Sequence, residues 1–387
     1  MTPERNIPFG RPWITDQDKA AVLEVLNGHI LTHGPQGQAF EQEFAALLGG
    51  DCHCVTVSSC MAALHLTYFC LGLAPGQEVI VPAMTHVATA HAVEMFGARP
   101  VFVDCRPETG NIDPAQIEAL ISPRTRALSV VHYLGIPCDM DEIAALARGR
   151  GLKVVEDCAL AVGARLDGRH VGLFGDAGCF SFYPVKHITT AEGGMLVATD
   201  PDLARTAAQE RAFGVDRKHN ERSTPGVYDV TRLGFNSRMS EMQAALGRGQ
   251  LARMGQILER RRANFSRLKA GLAGLDQVHV LDSPGGRFES SHYCLSVVLK
   301  GEAAPRRDEV VQRLNQAGVG TSVYYPHPVP RLTYYRRKYG YKPGDFPQAE
   351  AIADRSIALP VGPHLDLSDM DYIARQLEQA LQAVRAG

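Results

Sequence analysis

The stretch Gly178–Asp200, GCFSFYPVKHITTAEGGMLVATD, decides how the rest of the chain is read. An apolar run, Cys179 to Phe182, breaks at Pro184. One lysine follows, then a small polar turn, and after Gly193-Gly194 a second apolar run, Met195 to Ala198. This pattern predicts strand, exposed turn, strand. Lys186 has two readings. As a solvated loop lysine it is ordinary. If the apolar flanks Phe180, Phe182, Ile188 and Met195 bury the base of the loop, its amine is desolvated, loses proton affinity and becomes a nucleophile.

Bulk properties narrow the class. The chain has 387 residues, 45% apolar and 21% charged, with a formal net charge of -2. That length suits a large domain with an appendage, and the composition supports a packed core. Neither charge sign dominates, so no nucleic-acid or membrane partner is expected. The nine cysteines show no pairing rhythm; several, Cys70, Cys105, Cys179 and Cys294, lie in apolar contexts. They fit reduced core thiols and a cytoplasmic setting. Cys52-His53-Cys54 lacks a second pair at ligand spacing, so no metal is expected. Met1–Ile14 lacks a signal-peptide core, and no run reaches membrane-spanning length.

Going outward from the stretch, short β-branched runs alternate with helical segments. Strands are expected at His53–Val57, Glu78–Val81, Pro100–Val103, Ala127–Val131 and Lys153–Val155. Helices are expected at Ser59–Leu71, Val87–Met95 and Met140–Ala147, with a short one from Asp113-Pro114. Alternation of this kind gives βαβ units and a parallel sheet, whose ligands bind beyond the carboxyl ends of the strands. Before this region, Thr15 with Asp18 opens a helix with Val22, Leu23 and Leu26 on its apolar face, and a second helix covers Gln36–Leu48. After it come a helix at Asp202–Arg211 and a polar loop, 214–230. A long helix runs from Ser240 through Arg262. An α+β tail follows, with strands at Cys294–Leu299 and Thr321–Tyr324 and helices at Arg307–Gln316 and Leu367–Val384. The fold class is α/β, a mostly parallel sheet flanked by helices. The division is 1–255 for the larger unit and 256–387 for the smaller.

Four features carry chemistry. Ser58-Ser59-Cys60-Met61 sits between a strand and a helix, where free N–H groups and the helix dipole attract phosphate; it also reads as a plain serine cap. Glu156-Asp157 ends a buried strand and points carboxylates into the cleft, where they need a cationic partner. Lys186 lies five residues after Ser181. Gly234-Phe235-Asn236-Ser237-Arg238 places an amide and a guanidinium in a polar loop. A phosphate seat, an aspartate for a pyridinium proton and an imine-forming lysine are together the requirements of pyridoxal phosphate. No G-x-G-x-x-G follows the first strand, which stands against a dinucleotide fold.

The chain resembles the DegT/StrS-type sugar aminotransferases, pyridoxal-phosphate enzymes of the aspartate aminotransferase fold type. The shared blocks run in order. They include Thr32-His33-Gly34-Pro35, Ser58-Ser59 with Ala62-Ala63-Leu64-His65, Glu78-Val79-Ile80-Val81-Pro82, and Val87-Ala88-Thr89-Ala90. They continue through Pro100–Asp104, Glu156-Asp157, Ser181-Phe182 with Lys186, Glu192-Gly193-Gly194, Gly234–Met239 and Gly344–Pro347.

The resemblance implies that Lys186 forms the imine and shuttles protons, and that Asp157 partners the pyridinium. Cys60 and Met61 are implied to bind phosphate through their amides, Ser181 through its hydroxyl, with His86 against the cofactor face. Asn236 is expected to reach the neighbouring subunit's cofactor in a homodimer. Thr32, Tyr183, Arg238 and His327 lie where the family handles substrate. The implied function moves an amino group, with glutamate the expected donor, to a keto group of a nucleotide-linked deoxysugar for polysaccharide biosynthesis. The cofactor cycles between pyridoxal and pyridoxamine 5'-phosphate. The alternatives are a sugar dehydratase of the same family, whose members carry histidine in place of the lysine, and a non-enzymatic regulatory protein on this fold.

The chain departs from the family at several positions. Ser59-Cys60-Met61 replaces the usual S-G-T and removes a threonine hydroxyl. Leu160 stands where a Gln or His usually bonds the cofactor's ring oxygen, a loss expected to weaken cofactor orientation. His86 replaces an aromatic, and Tyr183 and Ala191 are uncommon.

Overall fold

The computed structural model describes residues 4–216, 224 and 227–386. Residues 217–223, 225 and 226 of the expected polar loop therefore lie outside the described residues, as do 1–3 and 387. Thr15 caps α1 (Asp16–Asn27) in a capping box with Asp18. Helix α2 (Pro35–Leu48) has no side-chain cap of its own. Its first N–H groups, on Gln36 and Gly37, donate instead to the distant carboxylate of Glu241, at 2.7 and 3.1 Å. Then come β1 (His53–Val57), α3 (Cys60–Cys70), β2 (Glu78–Pro82), α4 (Val87–Glu94), β3 (Arg99–Val103), β4 (Thr125–Val131), α5 (Met140–Arg150) and β5 (Lys153–Asp157). Two-residue strands β6 (Arg165–Leu166) and β7 (Arg169–His170) precede β8 (Ala177–Ser181) and β9 (Gly194–Ala198). Every residue of β2, β8 and β9 is buried, as strands covered on both faces require.

The large sheet runs β1-β9-β8-β5-β4-β2-β3. The pairs β2–β3, β2–β4, β4–β5 and β5–β8 are parallel, and β9 is antiparallel to both β1 and β8. The sheet is thus mostly parallel, with one strand reversed by the short connection 182–193. Register sets the site. Gly194 lies opposite Val57 on one side and Ser181 on the other, and Asp157 lies opposite Cys179 one strand further. A side chain at Gly194 would meet the Ser59 carbonyl carbon at 2.5 Å. Only glycine lets the turn after β1 close against β9.

The expected strand–turn–strand at 178–200 is present, but the turn is only partly exposed: His187–Thr190 are buried, while Tyr183, Ala191 and Glu192 face solvent. Phe180 and Phe182 are fully buried and pack on Phe44 and Phe40 of α2, with ring centroids 5.1 and 5.2 Å apart. Each such ring contributes about 1.5–3 kcal/mol by burial. Gln250 clamps the loop from behind: it accepts from the Thr189 N–H (3.0 Å) and donates to the Thr189 carbonyl (2.7 Å).

Helix α6 (Pro201–Glu210) follows. The long helix expected from Ser240 is two helices, α7 (Glu241–Leu251) and α8 (Met254–Gly271). The break falls at Ala252-Arg253, where Arg253 leaves helical geometry. Its guanidinium donates to both carboxylate oxygens of buried Asp18 (3.0 and 2.8 Å) and to the Trp13 carbonyl (3.1 Å). That pairing also corrects the expected apolar face of α1. Asp18 and Val25 are buried, while Leu23 and Leu26 are 58% and 53% exposed.

Beyond α8, β10 (Val278–Leu281), β11 (Phe288–Glu289) and β12 (Leu295–Leu299) are followed by α9 (Arg307–Gln316), α10 (Thr333–Tyr339), α11 (Pro347–Arg355), β13 (Ser356–Leu359) and α12 (Leu367–Ala386). Strands β10, β12 and β13 form an antiparallel sheet, and β11 joins the β6–β7 hairpin. The strand expected at Thr321–Tyr324 reduces to a single bridge from Ser322 to Ala358. Ile7 bonds Gly318 and Gly320 and packs in the apolar cluster of this C-terminal sheet, so the two ends of the chain meet there. Among the described residues, no helix is long and apolar enough to cross a membrane.

Candidate active site

The residues singled out in sequence converge at the carboxyl ends of β1, β5 and β8. At the end of β1, Ser59 caps α3: its Oγ accepts from the Ala62 N–H at 3.0 Å. The N–H groups of Cys60 and Met61, in the first helical turn, have no carbonyl partner within the helix. They point a positive dipole end at the space beyond β1. The serine is a cap, and among the described residues the next two amides have no backbone partner, as a phosphate seat would require. The Cys60 thiol turns inward, 3.5 Å from the Cys179 carbonyl and 4.0 Å from Asp157 Oδ1. Burial, with the Asp157 charge added, pushes that thiol well above its usual range, so it stays protonated.

Glu156 and Asp157 part company. Successive residues of a strand face opposite sides of the sheet. Glu156 is fully buried and turns away from the cleft, correcting the expectation that both carboxylates point into it. It accepts from the N–H groups of Gly172 (2.7 Å), Phe174 (2.7 Å) and Gly175 (2.6 Å), and pairs with His132 Nε2 at 2.9 Å. His132 Nδ1 accepts from the Cys138 N–H, so the ring proton lies on Nε2, toward Glu156. Burial pushes the Glu156 carboxyl up, but His132 and the Gly172 and Gly175 amides outweigh it and hold it below the usual range. With Cys158, this pair forms the one metal-like cluster among the described residues. The Glu156 oxygens, however, are already filled by the loop 172–175.

Asp157 is only 4% exposed and faces the cleft side. Its Oδ2 accepts from Thr89 Oγ1 (2.8 Å) and its Oδ1 from the Ala159 N–H (3.0 Å). Thr85 in turn contacts Thr89 Oγ1 at 2.8 Å, completing a buried hydroxyl chain from α4 to the carboxylate. Thr89 was missed in sequence. In sequence it appears only as part of the shared block Val87-Ala88-Thr89-Ala90, with no role attached.

Lys186 closes the group. Its own N–H bonds the Tyr183 carbonyl at 2.9 Å, and its Nζ lies 5.3 Å from the centre of the Tyr293 ring. The residue is half-buried. Burial lowers the proton affinity of its amine below the ordinary lysine value, against the opposing pull of Cys60, Asp157 and Cys294. That direction is the one the desolvated-amine reading of Lys186 requires. Ser181 is buried, and its Oγ accepts weakly from the Tyr183 N–H (3.4 Å). Leu160 is buried too; its carbonyl, not a polar side chain, is used, accepting from Ser291 Oγ at 3.0 Å.

Of the remaining residues, Thr32, His86, Tyr183, Asn236 and His327 are exposed and Arg238 is half-buried. His86 caps α4 through Nδ1 and meets the Tyr325 ring edge-on at 5.6 Å. Tyr183 is 48% exposed and Thr32 lies in the open loop after α1. Arg238 covers the Phe213 ring at 5.1 Å, and Asn236 is exposed, its backbone paired with Ala212. His327 is held by Arg331, which is bonded to Asp354, beside a cavity of about 320 Å³. No bond among the described residues links His327 to Lys186 or Asp157. The tyrosines 293, 324 and 325 were also missed, because nothing in their local pattern places them near a lysine 107 to 139 residues earlier.

Known proteins share this architecture. A sequence model of the DegT/DnrJ/EryC1/StrS aminotransferase family matches residues 12–378. The spore coat polysaccharide biosynthesis protein SpsC of Bacillus subtilis (strain 168) is 38% identical over 381 residues, covering 96% of this chain and 97% of SpsC. DesI, solved in the presence of its TDP-sugar product, is 33% identical, with a TM-score of 0.86 over 99% of this chain and 94% of its own. The putative sugar aminotransferase Spr1654 of Streptococcus pneumoniae, solved in its PLP form, is 29% identical. Its TM-score is 0.91, over 98% of this chain and 100% of its own.

Proposed function

The chain belongs to the DegT/DnrJ/EryC1/StrS aminotransferase family and is a pyridoxal-phosphate-dependent aminotransferase; from that premise we propose that it transfers an amino group, taken from glutamate, to a keto group of a nucleotide-linked deoxysugar. The observation that carries this reading is Lys186, a desolvated amine beside a buried aspartate. The donor set fits the cofactor: free amides at the start of α3 suit a phosphate, Asp157 suits a ring-nitrogen proton, and Lys186 suits an aldehyde. When bound, the cofactor acts as an electron sink for carbanion chemistry.

The chain's own groups do the rest. Cys60 and Met61 bind phosphate through N–H, and Ser181 through Oγ. Asp157, steadied by Thr89 and Ala159, holds a proton on the atom facing its carboxylate. Lys186 Nζ would take and return protons at the reacting carbon. The Leu160 side chain offers no hydrogen-bonding atom, so Asp157 and the phosphate seat would orient the cofactor, with the His86 ring available to pack against it. Thr32, Tyr183, Arg238 and His327 form the rim that takes the sugar nucleotide.

The active unit of this reading is a cytoplasmic homodimer, with residues 1–255 carrying the cofactor and 256–387 closing over it. The Asn236 side chain makes no hydrogen bond among the described residues, and Leu23, Leu26, Ile30 and Leu31 leave apolar surface exposed. Both support a contribution of Asn236 to a neighbour's site.

The test uses purified holoprotein and a panel of 3-keto and 4-keto nucleotide sugars. Conversion of the pyridoxal form by L-glutamate, followed by amine delivery to one panel member, is the expected result. Conversion without delivery to any keto sugar would reject the proposed acceptor.

A further inference from the structure

Two hydrogen bonds behind the site meet on one serine, and the proposed function gives that serine no role. The polar stretch Ser290-Ser291-His292-Tyr293 leads into β12 of the C-terminal sheet. Ser291 is buried, so its N–H, hydroxyl and carbonyl all need partners. All three find them in the first half of the chain. The N–H donates to the Gly135 carbonyl at 3.0 Å, and Oγ donates to the Leu160 carbonyl at 3.0 Å. The Ser291 carbonyl lies 3.0 Å from His187 Nε2. A carbonyl only accepts, so the His187 proton lies on Nε2. Its Nδ1 is buried with no partner among the described residues, so this one bond is all that holds the ring polar-side. The fit is close. A side chain at Gly135 would come within 2.1 Å of Ser291 Oγ and 2.7 Å of the Leu160 carbonyl oxygen, so only glycine lets these two meet.

Both bonds end next to a group of the candidate active site. The turn that leaves β5 at Asp157 reaches Leu160, and within it the Ala159 N–H donates to the Asp157 carboxylate at 3.0 Å. On the other side, His187 directly follows Lys186. Among the described residues, its bond to Ser291 is the only hydrogen bond that ties residues 184–188 to another part of the chain. The Gln250 clamp grips the same loop further on, at Thr189. Tyr293, two residues after Ser291, packs its ring 5.7 Å from the His187 ring and 5.3 Å from Lys186 Nζ.

We propose that Ser291 is a positioning residue: through Leu160 on one side and His187 on the other, it fixes the Lys186 amine relative to the Asp157 carboxylate. The inference rests on the roles given above to Lys186 and Asp157, and adds what keeps them in register. A lysine that bonds an aldehyde and an aspartate that faces the ring nitrogen of the same rigid molecule must keep a set separation.

The test adds pyridoxal phosphate to full-length protein freed of cofactor and follows, by absorbance, condensation of the Lys186 amine with the aldehyde, which releases one water. In parallel it measures affinity for pyridoxamine phosphate, which carries an amine in place of the aldehyde and cannot bond the lysine. Ser291→Ala and His187→Leu should each slow condensation about tenfold, with pyridoxamine phosphate affinity within about threefold of wild type. His187→Gln keeps an N–H donor at similar reach and should recover most of the rate. The double variant should be no slower than the slower single, because a strut cut at one end or at both is equally released. Additive losses would overturn the inference. So would condensation within about twofold of wild type in either single variant, or a fall in pyridoxamine phosphate affinity that matches the fall in rate. If His187→Leu does not fold, the split between rate and affinity in Ser291→Ala decides in the same terms. A wild type in which borohydride fixes no cofactor to Lys186 would overturn the reading of Lys186 as well.

Discussion

The floor of the site and its rim are built on opposite principles. On the floor, Glu156, Asp157, Thr89 and Ser181 are buried, and each is tied into the large sheet or α4 by hydrogen bonds. On the rim, Thr32, Tyr183, Asn236 and His327 sit on loops and face outward. On the function proposed above, the chemistry is held by the core, while recognition falls to segments that can vary without unfolding it.

Lys186→Ala cuts this contrast most sharply. It should abolish borohydride-trapped cofactor, read by mass spectrometry, and lower kcat by about 10²–10⁴-fold. Its thermal midpoint should stay near the wild type's, because the amine contributes reactivity rather than packing. Next is Glu156→Ala, which leaves His132 and three backbone N–H groups buried and unsatisfied. It should cost about 3–5 kcal/mol in denaturant unfolding. The same carboxylate has a pH signature. Its folded affinity for protons is lowered, so its stabilisation is fully present above the unfolded value of about 4.3 and is lost as pH falls through the lower folded value. A urea midpoint flat between pH 5 and 3 would remove it from the floor's support.

Thr89→Val should be milder. It removes one charge-assisted bond to Asp157 and should lower kcat/KM about tenfold, with Thr89→Ser restoring most of it. Smallest is His327→Ala on the rim. Its stability change should stay within about 0.5 kcal/mol, with only KM for the sugar nucleotide rising. If His327→Ala unfolded the protein or Lys186→Ala left trapping intact, the contrast between floor and rim would fail.

The same divide explains what could be read from the sequence. The strands of the floor are continuous apolar runs, and the β1 boundaries His53–Val57 were legible to the residue. Lys186 and the Glu156-Asp157 pair stood out because charges at the end of an apolar run are conspicuous, although Lys186 alone also read as a solvated loop lysine. Glu156 looked equivalent to Asp157, since a sequence shows adjacency but not which face of the sheet is solvated. The α7–α8 break was hidden because its cause, Asp18, lies 235 residues away. Leu23 and Leu26 suggested an inward face, yet the helix is turned by that same buried ion pair. Thr321–Tyr324 has strand-like composition but finds only one backbone partner. Long-range partners decided each of these cases, and local pattern carries no record of them.

The Asp18–Arg253 pair also sets a timetable. Ribosomes add about 5–20 residues per second, so Asp18 is made roughly 12–47 seconds before Arg253, the arginine 235 residues on that buries its carboxylate. Until then Asp18 is a solvated charge on a helix with two exposed leucines. Docking of α1 must therefore be one of the later events of biogenesis. Nascent chains stalled before residue 253 should leave it open to proteases, and chains released after it should not.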